Sequence, residues 1–436
     1  MKMRLLAVVS AILFALPGGL GAADRRFLSG YAGTLPARES DKARAYFEKP
    51  AVRQLLASLE TGSLTAAEVN KALETSGVTL NDLLRVRILR SSGDRFSIGF
   101  AYFTAADMRK IAEVVQRVAP TLASAYRSRE KEFNAIFRTY PSRAVSQKEI
   151  AFVLLAGFCL NWDGLEVTSE IGLRRPILVE GDGFKYSFWA SEELPGGDYR
   201  EIYWGSSTFP GPAPNSPRND AYSFSSFGDA VSDPRMNLPD LLYLSANELP
   251  ANVREKVERV GLHDSEEMGQ HFERVLGGEL LGPISRGLFA LRRGPSTATQ
   301  LRPIFGRDPA PILDLLEEIQ YVDRDRAGAY HLRVPVLDDD DRAIVEKTIG
   351  LSREVMRAWF EKRVPELRRD LGDLTAVRAG LPFEAVFTQV WHEIFGDVTR
   401  DLARSGFIAT AYAPTVRFKG SFSVLWRQSL YRFLPG

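Results

Sequence analysis

The densest collection of side chains able to do chemistry lies between residues 189 and 229. Trp189, Tyr199, Tyr203, Trp204, Phe209, Tyr222, Phe224 and Phe227 are interleaved there with Glu192, Glu193, Asp198, Glu201 and Asp229. Aromatic faces mixed with carboxylates in a Gly/Pro-rich stretch can line a groove for a sugar or a peptide. Two carboxylates facing each other across such a groove would permit acid/base hydrolysis, their separation deciding the route. A plainer expectation stands beside this one: a long loop needs large side chains to anchor it on the core. The candidate ligand-binding residues are Trp189, Tyr199, Tyr203, Trp204, Tyr222, Phe224, Glu192, Glu193, Asp198, Glu201 and Asp229. No residue is assigned as catalytic.

Other chemistry finds less support. The four histidines are His263, His271, His331 and His392, and none belongs to an HExxH pattern; no CxxC occurs either. Without such spacing a zinc site has no ligand set, so neither a metal nor a cofactor is expected. His331 is out of phase with Tyr330 on an expected strand and should face solvent. Cys159, the single cysteine, lies in an apolar stretch and reads as a buried structural thiol. Asp338 to Asp341 precede an expected helix, where carboxylates cap backbone amides. Asp323-x-Asp325-x-x-Gly328 opens like a calcium loop but has Ala327 and Val334 where ligands are required, so a hairpin turn is expected. GxSxG, GxxxxGK[ST] and GxGxxG are missing from any strand-to-helix context.

The elements that position these residues are written twice. Thr65 to Val69 reappears as Thr297 to Leu301, a shift of 232, with Leu73 matching Phe305, Leu80 matching Ile312, and Leu83-Leu84 matching Leu315-Leu316. After a turn two residues longer the shift becomes 234. Phe96/Tyr330, Ile98/Leu332, Phe100/Val334, Tyr102/Val336, Asp107/Asp341, Ile111/Val345, Val115/Ile349, Leu122/Met356, Tyr126/Phe360 and Phe133/Leu367 then correspond. Apolar matches at fixed offsets indicate two copies of one supersecondary unit. In each copy the periods predict a helix, a break, a second helix, a hairpin turn, a strand and a long amphipathic helix. In the first copy these fall at 65–73, about Leu80 to Ile88, a turn at 91–94, a strand through Phe96 to Tyr102, and a helix from Thr104 or Asp107. Each copy is expected to continue into an apolar helix (149–160 and 383–403) and further strands. One is a hairpin at 177–189; the other shows the alternation Val416, Phe418, Phe422, Val424.

Helix, turn, helix, two-stranded hairpin and helix resembles the winged helix-turn-helix superfold over about 60 residues of each copy. That resemblance implies a possible DNA reader, its second helix in the major groove and basic residues on phosphates. Arg85, Arg87, Arg90 and Arg95 fit that role in the first copy. Asp314, Glu317, Glu318, Asp323 and Asp325 occupy the equivalent stretch of the second, where they would repel phosphate.

Composition sets the frame. The chain has 436 residues, 45% hydrophobic and 25% charged, the balance of a globular protein of two or three domains. Lys2 and Arg4, an apolar run over residues 5–16 and Gly21-Ala22-Ala23 read as a secretory signal, the run being too short to span a bilayer. Net charge is +1, and −1 once Lys2 and Arg4 are removed, which gives no global attraction to nucleic acid or anionic membrane. The expected class is α+β: a signal at 1–23, a first winged-helix-like unit at 24–204, an aromatic- and Pro/Gly/Ser-rich insertion at 205–282, and a second unit at 283–436. The expected function is that of an exported, soluble, non-catalytic binding or scaffold protein recognising a protein, peptide or surface ligand. Two alternatives remain: an extracellular hydrolase using the central carboxylates, and a winged-helix DNA-binding regulator.

Overall fold

The computed structural model describes residues 25–34, 37–141, 145–181, 184–193, 206–210, 222–227, 251–260, 281–409 and 422–430. The chain is mixed, 62% helical and 16% strand, consistent with the α+β class.

The first half opens with β1 (Phe27–Thr34), α1 (Ala37–Phe47) and α2 (Pro50–Leu59). Then come β2 (Leu64–Thr65), α3 (Ala66–Leu73), α4 (Leu80–Arg85), β3 (Leu89–Ser92), β4 (Arg95–Ile98), β5 (Ala101–Phe103) and α5 (Ala105–Ser128). It continues through α6 (Glu130–Phe137), α7 (Gln147–Glu170), β6 (Val179–Gly181) and β7 (Phe184–Glu192). Two strands, β8 (Ser206–Pro210) and β9 (Tyr222–Phe227), and one helix, α8 (Ala251–Val260), follow. The second half comprises α9 (Leu281–Arg293), β10 (Ser296–Thr297), α10 (Ala298–Phe305), α11 (Ala310–Glu318), β11 (Val322–Arg324), β12 (Ala329–Leu332) and β13 (Val336–Leu337). It ends with α12 (Arg342–Leu371), α13 (Thr375–Arg378), α14 (Phe383–Arg404) and β14 (Phe422–Arg427).

Local sequence explains where these helices start. Thr65 accepts a hydrogen bond from the Glu68 amide while the Glu68 carboxylate accepts from the Thr65 amide, a closed capping box. Thr297 and Gln300 do the same at the aligned position. Thr104 with Asp107, Ser146 with Glu149, and Asp338 with Asp341 repeat the device at the starts of α5, α7 and the 3₁₀ turn before α12. Each such cap stabilises its helix by about 1 kcal/mol.

Corresponding elements keep corresponding pairings. The sheet order is β2-β4-β3 in the first half and β10-β12-β11 in the second, all antiparallel. Gly99 donates its amide to the Ile88 carbonyl at 3.0 Å, and Arg333 donates to Tyr321 at 2.8 Å. Among the described residues, Arg87 and Gln320 are the two non-glycine residues with positive φ, 60° and 61°. The shift of 232 therefore grows in two single steps, one after the second helix and one in the hairpin turn, rather than in one turn.

A second difference concerns the alternating run Phe96 to Tyr102, expected as one strand. It is two: β4 closes the hairpin, the chain turns at Gly99, and β5 leaves to pair in parallel with β7. A Cβ at Gly99 would lie 2.6 Å from the Arg87 carbonyl oxygen, so this crossing needs glycine. The second half splits in the same way, with β13 pairing in parallel with β14. The outcome is two further sheets, β1-β7-β5 with β6 also on β7, and β13-β14-β9-β8.

The halves interlock through their long helices. α5 packs chiefly on α14, and α12 packs on both α5 and α7. The middle of α7, Phe152–Asp163, is π-helical and apolar on every side, and only Trp162 in it is not buried. Hydrogen bonds tie the crossings: Trp391 Nε1 to the Leu160 carbonyl at 2.8 Å, Trp359 Nε1 to Thr121 Oγ1 at 2.8 Å, and the Thr375 amide to Asp107 Oδ1 at 3.0 Å. One large core runs through both halves; a smaller one joins α8, α9, α10, α11 and β12 to Tyr222 and Phe224.

Candidate functional site

The described part of the aromatic–carboxylate group is divided by the fold. On one side of β7, β1 pairs along the whole strand from Lys185 to Glu192. On the other side β6 pairs with residues 184–186 and β5 with residues 189–191. Ser187 and Phe188 fall in the gap, which spans roughly 10 Å at the rise of an extended chain. A shallow notch opens there, lined by Ile177, Ser187, Phe188, Trp189, Phe100 and Ala101 on the sheet side and by Leu381, Ala385, Thr388 and Gln389 on the α14 side. The Trp189 ring lies over β1, where a Cβ at Gly30 would be 2.6 Å from it.

Polar groups converge behind the notch from α14 and the strap after α7. Arg174 Nε donates to Thr388 Oγ1 at 3.0 Å and Nη1 donates to Ser169 Oγ at 3.0 Å. Burial pushes the Arg174 guanidinium pKa down, opposed by the Glu166 charge. Gln389 Nε2 donates to Glu393 Oε1 at 3.3 Å, and Glu393 Oε2 has no hydrogen-bond partner. Burial raises the Glu393 carboxyl to about 8 despite the Gln389 bond and the Arg400 charge, so at neutral pH it is mostly protonated. The His392 ring lies 2.7 Å through Nδ1 from the Thr388 carbonyl, an acceptor, so Nδ1 carries the proton. Burial lowers His392 to about 4.

Of the candidate carboxylates, Glu192 and Glu193 lie among the described residues. Glu192 accepts the Ala105 amide at 2.8 Å, at the N-terminus of α5, and stands 3.6 Å from Arg25. Arg25 also pairs with Glu60 at 2.5 Å, and Tyr102 donates its hydroxyl to Glu60 at 2.7 Å. Although burial disfavours its charge, Glu60 and Glu192 hold the Arg25 pKa above its ordinary value. The Glu193 amide donates to the Arg26 carbonyl, extending the β1–β7 ladder. Glu192 is thus occupied in holding the chain start against α5. Asp198, Glu201, Asp229, Tyr199, Tyr203 and Trp204 lie outside the described residues.

The remaining candidate aromatics pack inward. Tyr222 and Phe224 belong to the smaller core. Phe227 packs against Trp162 at 5.0 Å between ring centroids and Phe158 at 6.0 Å, and Trp426 joins both at 5.4 Å. Trp426 Nε1 donates to Ser225 Oγ. These contacts have the form of anchors for β9.

Other singled-out residues take local roles. Asp325 Oδ1 accepts the Ala327 and Ala329 amides, as a hairpin turn requires, and its Oδ2 meets His331 Nε2 at 2.9 Å. Asp341 completes the cap before α12 and pairs with Arg292 at 2.8 Å. Cys159 is buried, and burial raises its thiol pKa well above the ordinary value. His263 and His271 lie outside the described residues. No group of three or more His, Cys, Asp or Glu side chains suited to a metal occurs among the described residues. Among the described residues one helix, α7, is long and apolar enough to cross a membrane, and most of it is buried in the protein.

Sequence reasoning missed Arg174, Thr388 and Gln389. The first sits in a short strap and the other two on the buried face of a helix; only the i,i+4 spacing of Gln389 and Glu393 hinted at a polar line among apolar neighbours. No family model, curated protein or solved structure matches this chain.

Proposed function

We propose that the protein is an exported, non-catalytic binding or scaffold protein, built from two winged-helix-like units and recognising a protein, peptide or surface ligand. The observation that carries this reading is the interlock. Two segments have the same element order and pairings; the helix–hairpin part of the second builds the smaller core, while the long helices α5, α12 and α14 share the large one, α5 of the first packed on α14 of the second. A duplicated unit fused in this way presents two related surfaces in fixed relation, a geometry suited to recognition. The position of Glu192 on Arg25 and the α5 terminus supports the same reading over hydrolysis. The DNA-reading alternative has less support. Arg85 pairs with Asp82, Arg90 donates to Ser97 and the Ala379 carbonyl, and Arg95 donates to Ser63.

The test has two parts. In the source cells the chain should be recovered outside the cytoplasm beginning at Asp24, and photo-crosslinkers at the exposed positions Arg87 and Arg326 should capture a discrete partner. The purified chain should not turn over chromogenic glycosides, esters or peptides. Turnover abolished by E192Q or E193Q would establish the hydrolase instead. Full-length protein in the cytoplasm, with duplex binding that weakens steeply with salt, would establish the regulator.

A further inference from the structure

The correspondence between the halves reaches beyond the helix–hairpin segment to both ends. Val52, Leu56 and Leu59 of α2 match Ile284, Leu288 and Leu291 of α9 at the shift of 232, and all are buried. α2 packs on α3 and β4 as α9 packs on α10 and β12. At the other end, β7 lies between an antiparallel β1 and a parallel β5. β14 lies in the same way between an antiparallel β9 and a parallel β13. The matching units therefore run from β1 to β7 and from β9 to β14.

The helix before each last strand is exchanged between the units. α7 of the first packs on β9 and β14 of the second. There Phe158 and Trp162 meet Phe227 and Trp426, with ring centroids 5.0 to 6.0 Å apart. A Cβ at Gly157 would lie 2.5 Å from the Phe227 ring, so helix and sheet are in direct contact. In return α14 packs on β5, and its Ala385, Thr388 and Gln389 meet Ala101, Phe188 and Trp189 of the first sheet. Neither helix has comparable packing on the sheet of its own unit among the described residues. The long helices follow the same rule, α5 on α14 and α12 on α7, with α5 also on α12 and α7 on α14. Contacts that are returned in kind between two equivalent units are those of an isologous, two-fold interface.

We infer that the chain is a helix-exchanged dimer carried in one polypeptide, its interface formed by α5, α7, α12 and α14. The partner that each unit's surface fits is the other unit, and the inference goes beyond the binding role proposed above. Polar ties cross the same interface: the Tyr126 hydroxyl meets Ser352 Oγ at 2.5 Å, and Arg117 Nε donates to Glu366 at 2.9 Å. Interfaces built from buried apolar helices are of the obligate kind, in which neither partner has a complete core alone. The connection between β7 and β8 is then dispensable for holding the units together.

Cutting the full mature chain at a protease site placed between Glu193 and Ser206 tests this. The two fragments should elute together, at the volume of the uncut chain, at about 1 μM. Elution apart, or precipitation of either fragment on cutting, overturns the inference. On the unaltered chain, tryptophan fluorescence reports one unit through Trp162 and Trp189 and the other through Trp391 and Trp426. It should change in a single urea transition, whereas two separate transitions would equally overturn the inference. G157V drives a side chain into Phe227 and should speed hydrogen exchange of the β9 amides, in the other unit, by about tenfold or more. Unchanged exchange in β9 would show that α7 does not support that sheet. If G157V folds poorly, the cleavage and the fluorescence of the unaltered chain still decide.

Discussion

Arg353, on α12 of the second half, donates to Asp163 at the end of the π-helical stretch of the first. Nε lies 2.9 and 3.0 Å from the two carboxylate oxygens and Nη2 lies 2.6 Å from Oδ1. Asp163 is fully buried and Arg353 is 19% exposed, so this pair seals the crossing of α7 with α12 from its wet side. Burial pushes the Asp163 carboxyl above its ordinary value even with Arg353 beside it. The ion pair matters most when one partner is removed. R353A should lower unfolding free energy by about 3–5 kcal/mol, because it strands a carboxylate in the core. D163N should do less, since the amide still accepts from Arg353 and Arg353 keeps Glu170 at 2.9 Å. Urea titrations of both variants check the order; equal losses would mean the crossing does not depend on this charge.

Glu393 and His392, adjacent on α14, predict a pH profile. The folded Glu393 carboxyl is raised to about 8 from an ordinary 4.5, so its contribution is full below the lower value and declines as pH rises to the upper. The folded His392 is lowered to about 4 from 6.5, so its contribution is lost as pH falls through that interval. The two slopes oppose each other up to about pH 6.5, leaving a net decline between there and pH 8 of up to about 1.4 kcal/mol per unit. E393Q should remove the decline, visible in chemical denaturation at pH 6, 7 and 8. A decline that persists in E393Q would place its origin elsewhere.

The two matching capping boxes should respond alike. T65A and T297A each remove the acceptor for the N3 amide and should each destabilise by about 1 kcal/mol. Hydrogen exchange at the Glu68 and Gln300 amides would show the loss locally. A large effect in one copy and none in the other would break the energetic parallel between them.

Gly99 and its counterpart Arg333 should not respond alike. G99A places a Cβ within 2.6 Å of the Arg87 carbonyl, a backbone atom that cannot swing away, and should destabilise by about 1–3 kcal/mol. R333A removes a half-exposed side chain paired with Asp323 and should change stability by less than about 1 kcal/mol. Thermal melts of the two variants make the comparison.

Local order was legible from the residues alone. The caps at Thr65, Thr104 and Thr297, the turns at Gly93 and Gly328, and the paired apolar positions act over a few residues, and neighbouring side chains decide them whatever surrounds the chain. The same logic located the mixed α+β class and the hairpin role of Asp325. What happens to an alternating run after its hairpin was not legible. Phe96 to Tyr102 keep one alternation across two strands, because both faces are buried and only the partner β7, some ninety residues on, separates them. Nor could spacing tell that Glu192 would meet Arg25, that Arg174 would reach Thr388, or that α5 would lie on α14. Those contacts join residues whose encounter depends on how two folded halves pack, and a one-dimensional pattern holds no term for that packing.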